Sequence, residues 1–103
     1  MEKSELQFLL DNGFAELYQS YNPNMLTLSL WVNSLTINYT FDYVNHVITQ
    51  EIAEITEYPG KVLTQAVVVD DIQQNLIEAK RYTRIYNRAM NLPLNITKGA
   101  DRI

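Results

Sequence analysis

The first apolar positions of the chain recur at the spacing of a helix. One face of that helix would carry Leu6, Leu10, Leu17 and Tyr21, with Leu9 and Phe14 beside them. Ser4 precedes the pattern and Gln7 follows three residues later, so each side chain can bond a backbone amide of the first turn. The pattern predicts a helix from about Ser4 to Tyr21. Because a glycine inside a helix costs about 1 kcal/mol, a helix broken at Gly13 is the alternative.

The hydrophobic period shortens to two after the loop signal at residues 22–24. A two-residue turn at Asn33 and Ser34 would pair the flanking strands and place on one face Leu26, Leu28, Leu30, Val32, Leu35, Ile37, Tyr39 and Phe41. The opposite face would carry Thr27, Ser29, Trp31, Thr36, Asn38, Thr40 and Asp42. We therefore predict a β-hairpin with Trp31 as the one large apolar residue of its polar face. A helix over residues 26–43 is the alternative, since several of these apolar residues also recur at spacings of three and four.

The segment after the hairpin has helical spacing again. Its apolar stripe consists of Val44, Val47, Ile48, Ile52 and Ile55. Residues 58–60 read Tyr-Pro-Gly, a combination that stops a helix and forms a turn. The pattern predicts a middle helix of about a dozen residues.

Residues 61–69 are compatible with a third strand or with the first turns of one long helix. A seven-residue repeat favours the long helix, through Val62, Val69, Leu76, Thr83 and Met90. Asp70 with Gln73 three residues later is typical of a helix start, which favours a strand followed by a helix. We predict a third strand and then a long C-terminal helix from Asp70 to about Asn91, ended by Leu92 and Pro93.

Together these elements predict the α+β fold class: an N-terminal helix, a β-hairpin, a middle helix, a third strand and a long C-terminal helix. An all-α helical bundle is the alternative. The chain has 103 residues, of which 47% are hydrophobic and 19% charged, and these values are typical of one folded domain. We assign residues 1–92 to a single globular domain and residues 93–103 to a C-terminal tail.

Composition restricts where the protein acts. It has no cysteine, so disulfides and thiolate metal sites are excluded. No segment approaches the roughly 18 consecutive apolar residues of a membrane span, and the N-terminus lacks the basic start of a signal peptide. We expect a cytoplasmic protein that does not act at a membrane. The abundance of Asn, Ile, Thr and Tyr is consistent with A/T-rich coding and with a phage or mobile-element origin.

The net charge of −4 is unevenly distributed. Residues 1–60 carry eight acidic residues against the single basic Lys3, whereas residues 61–103 carry seven basic residues against four acidic ones. This layout predicts either internal pairing of the two halves or separate acidic and basic surfaces for partners.

Catalytic and metal-binding patterns are absent from the sequence. His46 lies four residues from both Asp42 and Gln50, a spacing that matches no established site, and we interpret it as a structural or surface histidine. Asp70 and Asp71 are adjacent carboxylates, which we interpret as complementing the positive end of a helix. We expect no enzymatic activity, no cofactor and no metal.

The stretch EAKRYTRIYNR at residues 78–88 is the most basic part of the chain. On a helix, Arg81, Arg84 and Arg88 form one stripe, with Lys80 beside it and Tyr82 and Tyr86 on the neighbouring face. A solvated or internally paired helix face accounts for this pattern without any function. A contact with another protein is the first functional hypothesis, and contact with the phosphates and bases of a nucleic acid is the second.

We therefore predict a small non-enzymatic protein-binding module: an accessory subunit, inhibitor or adaptor. Its predicted partner-binding residues are Trp31, Arg81, Arg84 and Arg88, since Trp and Arg dominate the energetics of interfaces. The alternative is a nucleic-acid-binding protein that uses Lys80, Arg81, Tyr82, Arg84, Tyr86 and Arg88. A two-stranded ribbon is marginally stable alone, so we also expect a homodimer formed through the hairpin edge.

Overall fold

A computed structural model describes residues 3–16, 22–54 and 61–91 of the chain. Its elements are, in order, α1 (Lys3–Asp11), β1 (Met25–Val32), β2 (Leu35–Asp42), β3 (Val47–Glu54), β4 (Lys61–Val62), β5 (Val67–Val68) and α2 (Ile72–Asn91). The predicted α+β fold class is confirmed, and the all-α alternative is wrong. The predicted tail at residues 93–103 lies outside the described residues.

The hairpin of β1 and β2 has the predicted register. Val32 pairs with Leu35 across the turn, and the pairing continues without a break to Met25 and Asp42. Asn33 has a φ of 58°, a left-handed conformation that asparagine tolerates better than most residues and that matches the twist of a tight hairpin. The two-residue turn and the alternation of apolar and polar residues therefore determined the structure of this hairpin from its local sequence.

The predicted middle helix is wrong, because residues 47–54 form β3, antiparallel to β2. Ile48 and Ile52 are four residues apart, a spacing that places two side chains on one face of either a helix or a strand. Gln50 lies between them on the same face and hides the strand alternation. The edge of β2 supplies hydrogen-bond partners that local sequence does not reveal. Ile55, the last residue of that predicted stripe, lies outside the described residues.

The five-stranded antiparallel sheet has two distinct faces. The inner face carries the buried side chains of β1, β2 and β3: Leu28, Val32, Leu35, Ile37, Tyr39, Phe41, Ile48, Gln50 and Ile52. The outer face carries the intervening side chains, among them Ser29, Trp31, Thr36, Asn38, Thr40 and Glu51. The core lies between the inner face and the two helices.

The predicted N-terminal helix is shorter than its apolar stripe. It ends at Asp11, and Gly13 adopts a φ of 89°. The amide of Gly13 donates to the carbonyl of Leu10 at 3.2 Å and that of Phe14 to the carbonyl of Leu9 at 3.1 Å. These two hydrogen bonds form a Schellman motif. The buried side chains of Phe14 and Leu9 occupy the positions of the hydrophobic pair that commonly accompanies this motif. Residues 17–21 of the predicted helix lie outside the described residues.

Residues 61–69 form a strand in two pieces rather than the start of a long helix. β4 and β5 both pair with β3, and the chain between them bulges outward. Within the bulge the hydroxyl of Thr64 accepts the amide of Ile52 at 2.9 Å, so a side chain replaces a missing backbone partner. The predicted third strand is thus confirmed, with an interruption.

The long C-terminal helix α2 is confirmed, with its start at Ile72, two residues later than predicted. The carboxylate of Asp71, not that of Asp70, accepts the amides of Gln73 at 3.1 Å and Gln74 at 3.2 Å. The buried side of α2 carries Ile72, Leu76, Ala79, Thr83 and Asn87. The hydroxyl of Thr83 donates to the carbonyl of Lys80 at 2.8 Å, which satisfies this fully buried polar group. In the described parts of the chain, neither helix is long and apolar enough to cross a membrane.

Gly13→Ala is expected to lower the free energy of unfolding by about 1–2 kcal/mol, because a residue with a side chain pays that cost at a left-handed φ. The added Cβ would meet Leu30 Cδ1 at 3.6 Å, an ordinary contact, so the cost comes from the backbone. A helix that continued through residue 13 would instead gain about 1 kcal/mol from the same change. Urea unfolding of the wild type and the variant shows whether the free energy of unfolding falls or rises.

Leu76→Ala is expected to lower the free energy of unfolding by about 2–5 kcal/mol, because Leu76 is 3% exposed and its removal leaves a cavity beneath α2. Ile77→Ala is the matched control, since the neighbouring Ile77 is 55% exposed on the solvent side of the helix. It is expected to change stability by no more than about 0.5 kcal/mol. Equal effects of the two changes in thermal unfolding would contradict this orientation of α2.

Candidate functional site

Trp31 lies where the hairpin pattern placed it, on the outer face of the sheet. Its side chain is 50% exposed, although it is the largest apolar side chain of the protein. Thr36 pairs with it directly across β2 and Ala53 follows across β3, so two small residues lie beside the indole ring. A half-exposed tryptophan beside small residues forms a raised apolar contact surface.

Two pairs of polar side chains on the outer face are joined by cross-strand hydrogen bonds, whereas the buried hydroxyl of Thr36, opposite Trp31, has no hydrogen-bond partner. Ser29 donates to the side-chain oxygen of Asn38 at 2.6 Å. The hydroxyls of Thr27 and Thr40 lie 2.9 Å apart and share a hydrogen bond. These pairs fix rotamers on the outer face before any partner arrives, which lowers the entropy lost on binding.

The predicted arginine stripe lies on the solvent side of α2 and is unequal along its length. Arg81 is exposed, between Ile77 and Ile85, which are 55% and 58% exposed. Arg84 is half-buried, and both Arg84 and Arg88 already interact with other groups of the protein. Arg81 is therefore the arginine best placed to meet a partner.

Trp31 and the arginines do not form one site. α2 packs against the inner face, where the hydroxyl of Tyr39 donates to Asn75 Oδ1 at 2.5 Å. Trp31 points away from that face because side chains alternate along a strand. The structure thus divides the predicted partner-binding residues between two surfaces on opposite sides of the sheet.

The two tyrosines of the basic stretch lie in different environments. Tyr86 is half-buried against the core, and its hydroxyl donates to Glu54 Oε2 at 2.7 Å. Tyr82 stacks on Tyr86 with 6.3 Å between ring centres and remains 39% exposed. Lys80 is half-buried. Within the residues proposed for nucleic acid, Tyr82 is therefore the ring most open to a stacking partner.

His46 and Asp42 belong to the loop between β2 and β3. Asp42 accepts the amides of Val44 and Asn45, each at 3.0 Å, and the side-chain amide of Asn45 at 2.8 Å. The hydrogen bonds from Asn45 hold the pKa of Asp42 below its usual value. His46 is exposed with a φ of 55°, so this carboxylate holds a turn rather than orienting an imidazole. The described residues contain no group of three potential metal-binding side chains.

A cleft of about 230 Å³ separates α2 from β3 and the bulge between β4 and β5. Gln50, Asn75 and Tyr82 are among its lining residues, and sequence reasoning identified only Tyr82. Gln50 is 7% exposed, and its Nε2 has no hydrogen-bond partner. On a strand, Gln50 lies on the same buried face as Ile48 and Ile52. Had residues 47–54 been recognised as a strand, this polar residue between two apolar ones would have been the sequence signal of the cleft.

The buried tyrosines predict a loss of stability at high pH. Burial raises the pKa of Tyr39, and the hydrogen bond to Glu54 raises that of Tyr86, both above the ordinary 10.0. Below about pH 10 both hydroxyls are protonated in the folded and the unfolded chain, and their contribution to stability is fully present. Above about pH 10 the hydroxyls ionise in the unfolded chain before they ionise in the folded one, so the free energy of unfolding falls. The expected slope from Tyr39 is roughly 1.4 kcal/mol per pH unit.

Urea unfolding between pH 8 and pH 11 measures this slope. Tyr39→Phe is expected to flatten it, although the variant is less stable at pH 8 because Asn75 loses the hydroxyl that it accepts. Tyr86→Phe is expected to remove a further part. An unchanged slope in Tyr39→Phe would show that this hydroxyl does not carry the effect.

Comparison with known proteins provides no relative for this chain. No protein-family model, no curated protein and no solved structure matches it. The function has to be argued from the geometry of these surfaces.

Proposed function

We propose that this protein is a small non-enzymatic protein-binding module, an accessory subunit, inhibitor or adaptor, whose main contact residue is Trp31. The observation that carries the proposal is the 50% exposure of this indole on the outer face of the sheet. Large exposed apolar side chains cost solubility, and tryptophan is the residue type most enriched among those that dominate binding energy.

The surroundings of Trp31 support a protein partner. A typical interface has an aromatic centre and a polar rim whose hydrogen bonds are satisfied. Around Trp31 that rim consists of the bonded pairs Ser29–Asn38 and Thr27–Thr40. Because these side chains are already ordered, the partner would gain most from burying the indole ring and would lose little to ordering the surface.

The solvent side of α2 is a second contact surface in this proposal. Arg81 lies between Ile77 and Ile85, so positive charge and aliphatic surface alternate along the helix. A partner surface with carboxylates beside apolar side chains would complement it. Because Arg84 and Arg88 already interact within the protein, Arg81 would contribute most of the charge attraction.

Nucleic acid is the alternative partner and is less well supported. The protein carries a net charge of −4, which opposes binding to a polyanion. Glu78 lies one turn before Tyr82 on α2, and the Tyr86 hydroxyl is already bonded to Glu54. Within the described basic stretch of α2, these features leave Tyr82 as the one exposed ring for a strand of bases.

A cytoplasmic location and self-association complete the proposal. The absence of cysteine is consistent with a reducing compartment.

At the hairpin edge, Ala15 and Ser29 exchange both backbone hydrogen bonds, at 3.1 and 2.9 Å. A second copy pairing through β1 would have to displace that contact, so the outer face is the better surface for a homodimer.

Affinity capture from a lysate of the natural host, with and without nuclease, identifies the partner. A discrete protein is expected to remain after nuclease treatment. With that partner purified, Trp31→Ala is expected to weaken binding by about 2 kcal/mol or more, roughly 30-fold in Kd, measured by titration calorimetry. The Tm should change little, because half of the indole is already in water.

Met25→Ala is the matched control, since Met25 lies on the same strand and face and is 37% exposed. It should leave the Kd unchanged. A triple variant with Arg81, Arg84 and Arg88 each changed to Glu tests the second surface. Captured nucleic acid that disappears in this triple variant, with no captured protein, would establish the alternative and defeat the proposal.

A further inference from the structure

The cleft between α2 and the bulged strand of β4 and β5 contains one charged side chain among the described residues that line it. That side chain is Glu78, and the other described lining residues are neutral. Ile52 and Ala79 supply buried apolar surface, and Val67 is 45% exposed. A cleft with apolar walls and a few polar groups is the usual form of a ligand site. The charge of this cleft favours a cation.

The carboxylate of Glu78 is not neutralised by a neighbouring cation. Its described hydrogen bond comes from Nε2 of Gln74 at 3.4 Å, a weak contact between two exposed side chains. Arg81 lies three residues later on α2, a spacing that permits an ion pair, but no ion pair of Glu78 is found in the described ranges. Arg81 is also not among the described lining residues of the cleft. The carboxylate therefore keeps its capacity to bind a positive group from outside.

Tyr82 places an aromatic ring one helical turn from Glu78. Side chains four residues apart lie on the same side of a helix, with roughly 5–6 Å between their Cβ atoms. The Tyr82 ring lines the cleft, is 39% exposed, and is held by stacking on Tyr86 with 6.3 Å between ring centres. A cation over the face of a tyrosine is attracted by the negative charge of the ring face. The carboxylate and the ring can thus act on the same bound charge.

The shape of these groups favours a guanidinium over an ammonium. A guanidinium is planar, so it can lie flat on a tyrosine ring while its edge donates to a carboxylate. It is also more weakly hydrated than an ammonium and loses less on leaving water. Its five N–H groups need acceptors. Asn75 Oδ1 and Thr64 Oγ1 each accept one hydrogen bond within the protein, which leaves each oxygen a second lone pair.

We infer that this cleft binds a guanidinium group on an aliphatic stem, as in the side chain of arginine. The guanidinium donates to the carboxylate of Glu78 and lies on the ring of Tyr82, and the stem packs against Val67. The volume of about 230 Å³ lies below the roughly 300–1,000 Å³ of sites for drug-sized molecules, which suits one such side chain. The site does not involve Trp31 or Arg81, so it stands or falls separately from the proposed protein-binding function.

Ethylguanidinium chloride is the probe, titrated at constant ionic strength into the isotope-labelled protein and followed by NMR. Saturable shifts are expected in the backbone amides of Glu78 and Tyr82 and in the side-chain amide of Asn75. The titration stays below about 50 mM, far under the molar concentrations at which guanidinium unfolds proteins. Absence of saturable shifts in this range, or saturable shifts confined to residues outside the cleft, would overturn the inference.

Two analogues of similar size separate the charge of the probe from its shape. Propylammonium has the charge without the planar fork, and it is expected to bind at least about threefold more weakly than ethylguanidinium. Ethylurea has the planar shape without the charge, and it is expected to bind at least about tenfold more weakly. If either analogue bound as tightly as ethylguanidinium, the assignment to a guanidinium would be wrong.

Glu78→Gln is expected to weaken ethylguanidinium binding at least about tenfold with little change in Tm, because the side chain is exposed. Glu16→Gln is the matched control, since it removes the same charge from an exposed residue that does not line the cleft. It should bind the probe as the wild type does. Equal weakening in both variants would show that net charge alone attracts the probe, against the inference.

Substitutions of Tyr82 test the ring. Tyr82→Phe keeps the ring and is expected to bind ethylguanidinium as the wild type does. Tyr82→Leu keeps an apolar side chain without a ring and is expected to bind at least about threefold more weakly. Unchanged binding in Tyr82→Leu, in a variant whose Tm shows that it is folded, would contradict the placement of the guanidinium on this ring.

Short peptides identify what carries the guanidinium. A glycine-arginine-glycine peptide with blocked ends presents the arginine side chain without other charges, and the same peptide with lysine is its control. If the arginine peptide binds at least as tightly as ethylguanidinium and the lysine peptide does not, the ligand is an arginine of a polypeptide. If ethylguanidinium binds and the arginine peptide does not, the ligand is a free alkylguanidinium. Equal binding of the two peptides would overturn the choice of guanidinium.

Discussion

The register of the β1–β2 hairpin is the constraint on which the rest of the structure depends. Val32 pairs with Leu35 across the turn, and every side chain of the sheet takes its face from that pairing. A slip of one residue would exchange the two faces, because side chains alternate with a period of two. Trp31 would then be buried, and Tyr39 would point to solvent. The outer contact surface therefore depends on one two-residue turn, and the cleft depends in addition on the pairing of β3 with β4 and β5.

Polar contacts fix how α2 lies on the sheet. Apolar packing alone allows a helix to slide or rotate, whereas hydrogen bonds hold it at defined positions. The bonds of Asn75 with Tyr39 and of Tyr86 with Glu54 join the helix to β2 and β3, and Asn87 donates to the carbonyl of Val32 at 3.3 Å near the turn. This orientation places Arg81 in solvent and Tyr82 at the cleft.

The basic stretch on α2 shows how one sequence pattern is divided among several roles. Tyr86 and Asn87 hold the helix to the sheet, Arg84 and Arg88 interact within the protein, and Arg81 is exposed to solvent. Gln50 is the opposite case, a polar group in the core that the fold leaves without a partner. In this protein, the polar groups that remain without a partner after folding are therefore a better guide to functional surfaces than the density of charge along the sequence.

The sequence by itself determined the hairpin with its register, the C-terminal helix and the outward position of Trp31, because a turn and a hydrophobic period act over a few neighbouring residues. Tertiary structure decided the state of residues 47–54, since Ile48 and Ile52 fit one face of a helix or of a strand, and the hydrogen-bonding edge of β2 selects the strand. It also decided that Gln50 faces α2. The cleft could not be predicted for the same reason: its walls are brought together by pairings between distant parts of the chain.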